Sequence, residues 1–155
     1  MTTNALHHFS EDPSIVRFVP HVPRTNPEHR RAVWAIDAEH APLYWFPRDC
    51  PRVTIWPLRA GDVGSFQTRL ATTASRVHAI ESGWLQRMRS TPIYRYDFEP
   101  DGFYPWEEAN GQWIAESEVV PVVVTPMGDL LEAHVHAAIE LRIVRMLNAQ
   151  PRDET

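Results

Sequence analysis

Short apolar runs alternate with proline-broken polar stretches along this chain, and their period predicts the elements. Leu6-His7-His8-Phe9 reads as a first strand, turned by Ser10-Glu11-Asp12-Pro13 before Ile15 to Val19 extends again. Pro20 to Pro27 is extended by proline density, because each proline keeps the residue before it out of the helical region. Val33-Trp34-Ala35-Ile36 reads as a buried strand. Asp37 then caps a helix over Ala38 to Phe46, with Ala41, Tyr44 and Trp45 at helical spacing and Pro42 in the tolerant first turn. Arg52 to Trp56 is a strand by β-branched content, Gly61 to Ser65 a loop, and Phe66 to Ala74 a short helix. Arg76 to Ile80 is a strand, and Ser82 to Arg89 a helix with Trp84, Leu85 and Met88 inward. Ile93 to Phe98 alternates with period two, so one face of that strand is half buried.

Downstream, Pro100 to Asn110 reads as an aromatic loop holding Phe103, Tyr104 and Trp106. Gln112 to Ala115 and Val119 to Val124 are strands around a turn. Asp129 caps a helix to Ala137, Glu140 to Val144 is the last strand, and residues 148–155 form a polar tail. Many short strands with brief helices between them do not make the regular alternation of a doubly wound sheet. The expected class is α+β: a single compact domain over residues 1–147, with short mixed or antiparallel strands paired from distant parts of the chain.

Composition narrows the function classes. At 155 residues, 43% hydrophobic and 23% charged, the chain has the make-up of a globular domain. No apolar run reaches the ~20 residues that span a bilayer, and no signal-peptide pattern opens the sequence. The one cysteine, Cys50, excludes an intramolecular disulfide. A reducing, cytoplasmic location is therefore expected. A net charge of −5 argues against general nucleic-acid binding. All 15 basic residues are arginine, which removes lysine Schiff-base chemistry and suits phosphate or carboxylate recognition. Six glycines, none in a phosphate-binding fingerprint, exclude a P-loop or dinucleotide motif.

Metal chemistry has little to stand on. His134 and His136, two apart on a helix, diverge by about 200°, so one packed and one surface histidine is expected. His7 and His8 are neighbours on a strand and point to opposite faces. No metal is expected. Cys50 lies between Arg48 and Arg52, which would favour a thiolate. A Cys50-dependent hydrolase or redox enzyme is therefore one reading, against a loop cysteine packed on the core. Trp34, Tyr44, Trp45, Phe46, Tyr104, Trp106 and Trp113 supply rings that pack a core or stack on a base.

The strings HFSEDPSI, VWAIDAEHAPLYWFPRDCPRV and GDLLEAHVHAAIELRIV resemble a bacterial family of unknown function, over nearly all of residues 6–147. A more remote resemblance is to the ADP-ribosyltransferase fold. Its first motif, a strand with a histidine or arginine that holds the NAD ribose or carboxamide, is similar to His8-Phe9-Ser10, with His7 as the other candidate. Its second, a strand and small helix whose aromatic residue flanks nicotinamide, is similar to Val33–Ile36 followed by Ala41, Tyr44 and Trp45. Its third is similar to Gly111 to Ala115 running into Val119-Val120-Pro121. That resemblance implies a split sheet and NAD, or a related ADP-ribose-containing nucleotide, as ligand. It implies His8 and Ser10 at the ribose or carboxamide, Tyr44 or Trp45 stacking, Arg48 and Arg52 facing phosphates, and Gln112 or Glu116 at the reactive ribose. Gln112 stands where the family has glutamate. Breaking the nicotinamide bond builds positive charge on the ribose, which a carboxylate stabilises and an amide does not. The other reading from the same residues is a non-enzymatic protein-interaction domain with a degenerate site, using the Phe103-Tyr104-Pro105-Trp106 segment. The transferase reading requires His8, Tyr44 and Gln112 to line one cleft.

Overall fold

The computed structural model describes residues 4–24 and 27–147. The strands are β1 (Leu6–Ser10), β2 (Val33–Ile36), β3 (Arg52–Ile55), β4 (Val77–Glu81), β5 (Tyr94–Phe98), β6 (Phe103–Pro105), β7 (Gln112–Ala115), β8 (Val123–Pro126) and β9 (Glu140–Val144). The α-helices are α1 (Val63–Leu70), α2 (Leu85–Ser90) and α3 (Leu130–His136). The class is α+β, as the irregular order of elements predicted. The chain divides into two compact units, each made from two stretches: Met1–Trp45 with Pro92–Met127, and Phe46–Thr91 with Gly128–Thr155. The predicted tail, 148–155, lies outside the described residues.

The first unit holds a six-stranded sheet in the order β6-β7-β2-β1-β5-β8, with every neighbouring pair antiparallel. The outer strands β6 and β8 both end in proline, Pro105 and Pro126. Proline has no N–H to donate to a ladder, so it is tolerated at sheet edges and not inside them. Register sorts the side chains. Leu6 faces Phe98 and His8 faces Tyr96 across β1 and β5, while Val33 faces Ala115 across β2 and β7. Leu6, Val33, Ala35, Tyr96, Phe98, Phe103 and Ala115 form the core with Phe18, which crosses above them. Phe18 meets Tyr96 and Phe98 edge-on at 5.2 and 4.9 Å, the preferred aromatic geometry. The Tyr96 hydroxyl donates to the Asp12 carbonyl and accepts from the Ile15 N–H, which holds the 12–18 segment over this core face.

The second unit holds a three-stranded sheet, β3-β4-β9, antiparallel on one side and parallel on the other. Phe46, Val77, His78, Ile80, Met88, Leu130 and His134 are buried in it. The Asp129 carboxylate accepts from the N–H groups of Leu131 and Glu132 at 2.8 and 3.4 Å, so α3 begins at the predicted cap.

Several predicted boundaries move. The helix expected over Ala38 to Phe46 is one 3-10 turn, Ala41–Tyr44, because Pro42 opens it and Pro47 denies Phe46 the helical region. The loop expected over Gly61 to Ser65 is largely helix, since α1 starts at Val63. It stops where Ala71 takes a left-handed φ of 50°. The aromatic loop contains strand β6, and Phe103 is a core residue rather than an exposed one. Val119 pairs only with Phe18 as an isolated bridge, and the strand begins at Val123, because Pro121 interrupts the run.

Candidate functional site

His8, Tyr44 and Gln112 do not share a cleft, so the arrangement that the transferase reading requires of His8 is not formed. Side chains alternate across a strand, and His8 lies on the core face with Leu6, 4.8 Å from the Phe18 ring and 6.4 Å from Tyr96. Ser10 follows it on that face, and its Oγ accepts the Asp12 N–H at 3.1 Å to shape the turn. Both positions are taken up by packing and turn geometry.

The opposite face carries His7, the alternative candidate, and Phe9. His7 stands across from Ile36, and Ile36 across from Gln112, so these three run side by side over β1, β2 and β7. The 3-10 turn after β2 brings Tyr44 over the same face. Its ring lies near-parallel to Phe9, 12° apart with centroids at 6.4 Å, and its hydroxyl accepts from Gln112 Nε2 at 3.2 Å. Tyr44 is 40% exposed, the most open of the group.

Two neighbours place Tyr44 and Gln112. Asp37 Oδ1 accepts from the His40 N–H at 2.9 Å and meets His40 Nδ1 at 2.7 Å, which sets the entry to the 3-10 turn. The Asp37 N–H in turn donates to the Gly111 carbonyl at 2.9 Å. Gly111 has φ +85°, and a Cβ there would sit 2.4 Å from His40 Cγ and Nδ1. Only glycine combines that backbone angle with so close an approach. It turns the chain into β7 with Gln112 beside Tyr44.

Sequence reasoning passed over Asp97 and Arg95. Strand β5 pairs with β1 so that Asp97 lies opposite His7 and Arg95 opposite Phe9. Asp97 Oδ1 meets His7 Nδ1 at 2.7 Å. Arg95 grips the same carboxylate with Nε at 2.8 Å and a terminal nitrogen at 3.2 Å. The His7 and Asp97 side chains are only 11% and 13% exposed. A carboxylate only accepts, so Nδ1 of His7 carries the proton, and in the neutral ring Nε2 keeps its lone pair. The signal was available: in an alternating strand, Arg95 and Asp97 occupy the face opposite Tyr94, Tyr96 and Phe98.

The remaining candidates fall elsewhere. Glu116 lies one residue past β7, about 13 Å along the strand direction from Gln112. It is held there by Arg30 and by the Tyr104 hydroxyl at 2.9 Å. Trp45 follows the 3-10 turn, its N–H donating to the Pro42 carbonyl. Arg48 and Arg52 belong to the second unit. Arg48 is exposed, and Arg52 is a staple: it donates to the Cys50, Pro47 and Arg48 carbonyls and lies 4.6 Å over the Phe46 ring. Cys50 is 3% exposed, its Sγ donating weakly to the Pro51 carbonyl at 3.4 Å. Burial pushes its thiol up, outweighing Arg52 and Arg87, so the arginines do not produce the expected thiolate.

The second unit has its own histidine pair. His134 is packed and His136 exposed, as their helical spacing predicted. His134 Nδ1 donates to the Leu130 carbonyl at 2.7 Å, so its Nε2 is an acceptor and receives the Nδ1–H of His78 at 2.9 Å. His78 Nε2 is then a buried lone pair with no hydrogen-bond partner among the described residues. Burial above all, with His134, Arg76 and Arg52 beside it, pushes His78 down to about 3. Among the described residues no group of three or more His, Cys, Asp or Glu could hold a metal ion. No described helix is long and apolar enough to cross a membrane.

Residues 7–153 match a family of unknown function, DUF6886. The chain belongs to that family. The match spans both units and includes His7, Tyr44, Asp97 and Gln112. No curated protein matches the chain, and no solved structure does.

Proposed function

We propose that the first unit binds NAD or a related ADP-ribose-containing nucleotide on the sheet face that carries His7, Tyr44 and Gln112. One observation carries this reading. The three partial motifs that resemble the ADP-ribosyltransferase fold fall on adjacent strands, β1, β2 and β7, and each contributes a side chain to the same face. His7, rather than His8, takes the ribose or carboxamide in this reading. Tyr44, already stacked on Phe9, offers its ring to nicotinamide. Gln112 has no charge to set against a ribosyl cation, so the reading is one of binding, with no transfer through residue 112.

A thermal-shift titration with NAD, ADP-ribose and nicotinamide tests it. A ligand at 100 times its Kd stabilises by about 2.7 kcal/mol. The shift should vanish in His7→Ala and persist in His8→Ala. No shift at millimolar ligand, or loss only in His8→Ala, would sink the assignment. Gln112→Glu restores the missing carboxylate, and release of nicotinamide from NAD should rise in that variant.

A second reading, a protein-interaction domain, is favoured by the strip of exposed valines flanking the Phe18–Val119 bridge. Val16, Val19, Val120 and Val122 are all more than half exposed, and apolar surface of that kind marks contact sites. Silence in the titration, together with self-association that Val122→Asp abolishes, would favour it.

A further inference from the structure

The transferase motif places its carboxylate on β7, and this chain has an amide there. The same sheet face holds a different acid–base group, a carboxylate-backed imidazole on the two strands beyond β2. We infer that His7 is a general base. Its Nε2 takes the proton of a water molecule whose oxygen attacks the ribose carbon of a nicotinamide nucleotide bound on this face. The choice of substrate rests on the nucleotide reading above.

The geometry carries the argument. A histidine acts as a base only if one nitrogen keeps its lone pair and the ring cannot rotate. Asp97 meets both conditions by accepting the Nδ1–H at 2.7 Å. Arg95 then holds the carboxylate through both oxygens, so its plane is fixed as well. Asp97 and Arg95 are positioning residues that act through His7. His7 Nδ1 is its one hydrogen-bonded nitrogen among the described residues. Nε2 remains on the face where Phe9 and Tyr44 stack. His40 also meets a carboxylate, Asp37, through Nδ1, so it is the Arg95 clamp on Asp97, and not the pairing alone, that sets His7 apart.

The step balances. The water O–H bond breaks and its proton goes to His7 Nε2. The oxygen forms the new bond to ribose C1′. The bond from C1′ to nicotinamide breaks, and its electron pair leaves on the nicotinamide nitrogen as a neutral ring. The products are nicotinamide and ADP-ribose, with one proton held as the His7 imidazolium beside Asp97. That proton is later given to solvent. The reaction class is hydrolysis of an N-glycosidic bond.

The experiment pairs a spectroscopic with a kinetic measurement on the full chain. Long-range nitrogen–proton NMR of the wild type at pH 8 should show His7 with its proton on Nδ1. In Asp97→Asn the Arg95 grip holds the amide oxygen, so the amide nitrogen turns toward Nδ1. The proton should then move to Nε2. Nicotinamide release from NAD should be measurable in the wild type and lost in His7→Ala. In Asp97→Asn it should fall by about 100-fold or more in kcat with KM little changed. A wild-type Nε2–H tautomer overturns the inference without any variant being needed. Nucleotide binding with no nicotinamide release overturns the general base and leaves the binding reading standing. Neither binding nor release overturns both.

Discussion

In each unit a buried histidine is hydrogen-bonded through Nδ1 to a side chain distant in sequence, His7 to a neighbouring strand and His78 to helix α3, and the two partners differ in chemistry. In the first unit His7 meets a carboxylate, Asp97, at 2.7 Å. In the second, His78 meets another histidine, and the nearest charges are the guanidinium groups of Arg76 and Arg52. Burial first, then His134 and those cations, keep His78 neutral far below its ordinary range. The lesson is that a buried histidine is read from its partner as well as from its burial, which is the main cause of the low His78 value. His7 keeps a carboxylate at its Nδ1, whereas His78 refuses a proton over much of the acid range.

The sharpest way to break this contrast is to remove each partner. In His134→Ala, His78 loses the acceptor of its Nδ1–H in a sealed interior and a cavity opens. Stability should fall by about 3 kcal/mol in urea denaturation. A loss below that of Asp97→Ala would mean that the two pairs are not different in kind.

Acid should find the second unit next. Above pH 6.5 neither the folded nor the unfolded chain protonates His78, and stability is complete. Between pH 6.5 and about 3 the unfolded chain holds a proton that the folded one refuses. Stability therefore falls with pH, by about 1 kcal/mol per unit. Denaturation curves at pH 7 and 4.5 should differ by about 2 kcal/mol in the wild type and by less in His78→Leu, where His134, also held down by burial, keeps its share. Equal slopes in the two proteins would refute the assignment.

Gly111→Ala tests the scaffold of the first unit. The φ of +85° and the 2.4 Å approach to His40 should cost about 2 kcal/mol. Any nucleotide-induced thermal shift should weaken too, because Tyr44 and Gln112 lose their seat. The smallest effect should be Asp97→Ala, about 1 kcal/mol, because the Arg95 side chain is 36% exposed and water can replace its lost carboxylate. That variant should nonetheless abolish nicotinamide release. Little loss of stability with full loss of activity is the signature expected of a functional pair.

Much of the fold was legible in the chain because local rules decide it. The period-two pattern of Tyr94 to Phe98 marked β5, and β9 ran over the predicted Glu140 to Val144. Asp129 capped α3 as its position implied. Prolines misled at Ala38 to Phe46, where two of them cut a helix to one turn, and at Val119 to Val124, where Pro121 delayed the strand. At the candidate site the structure sets His8 on the core face and His7, the other candidate, on the face with Gln112. His7 and His8 differ by a single step, and a single step on a strand reverses the face. No local pattern says which side of a strand will meet the core when both neighbours are histidine.

The sequence by itself determined the class, the helix cap and the divergence of His134 from His136, because each follows from local pattern. Only the tertiary structure decided that His7 lies opposite Asp97, 90 residues away, and that His78 lies against His134, 56 residues away. Those pairings follow from strand register and helix packing, which are settled by burying the whole apolar set at once. The chemistry of each histidine is therefore a consequence of the completed core.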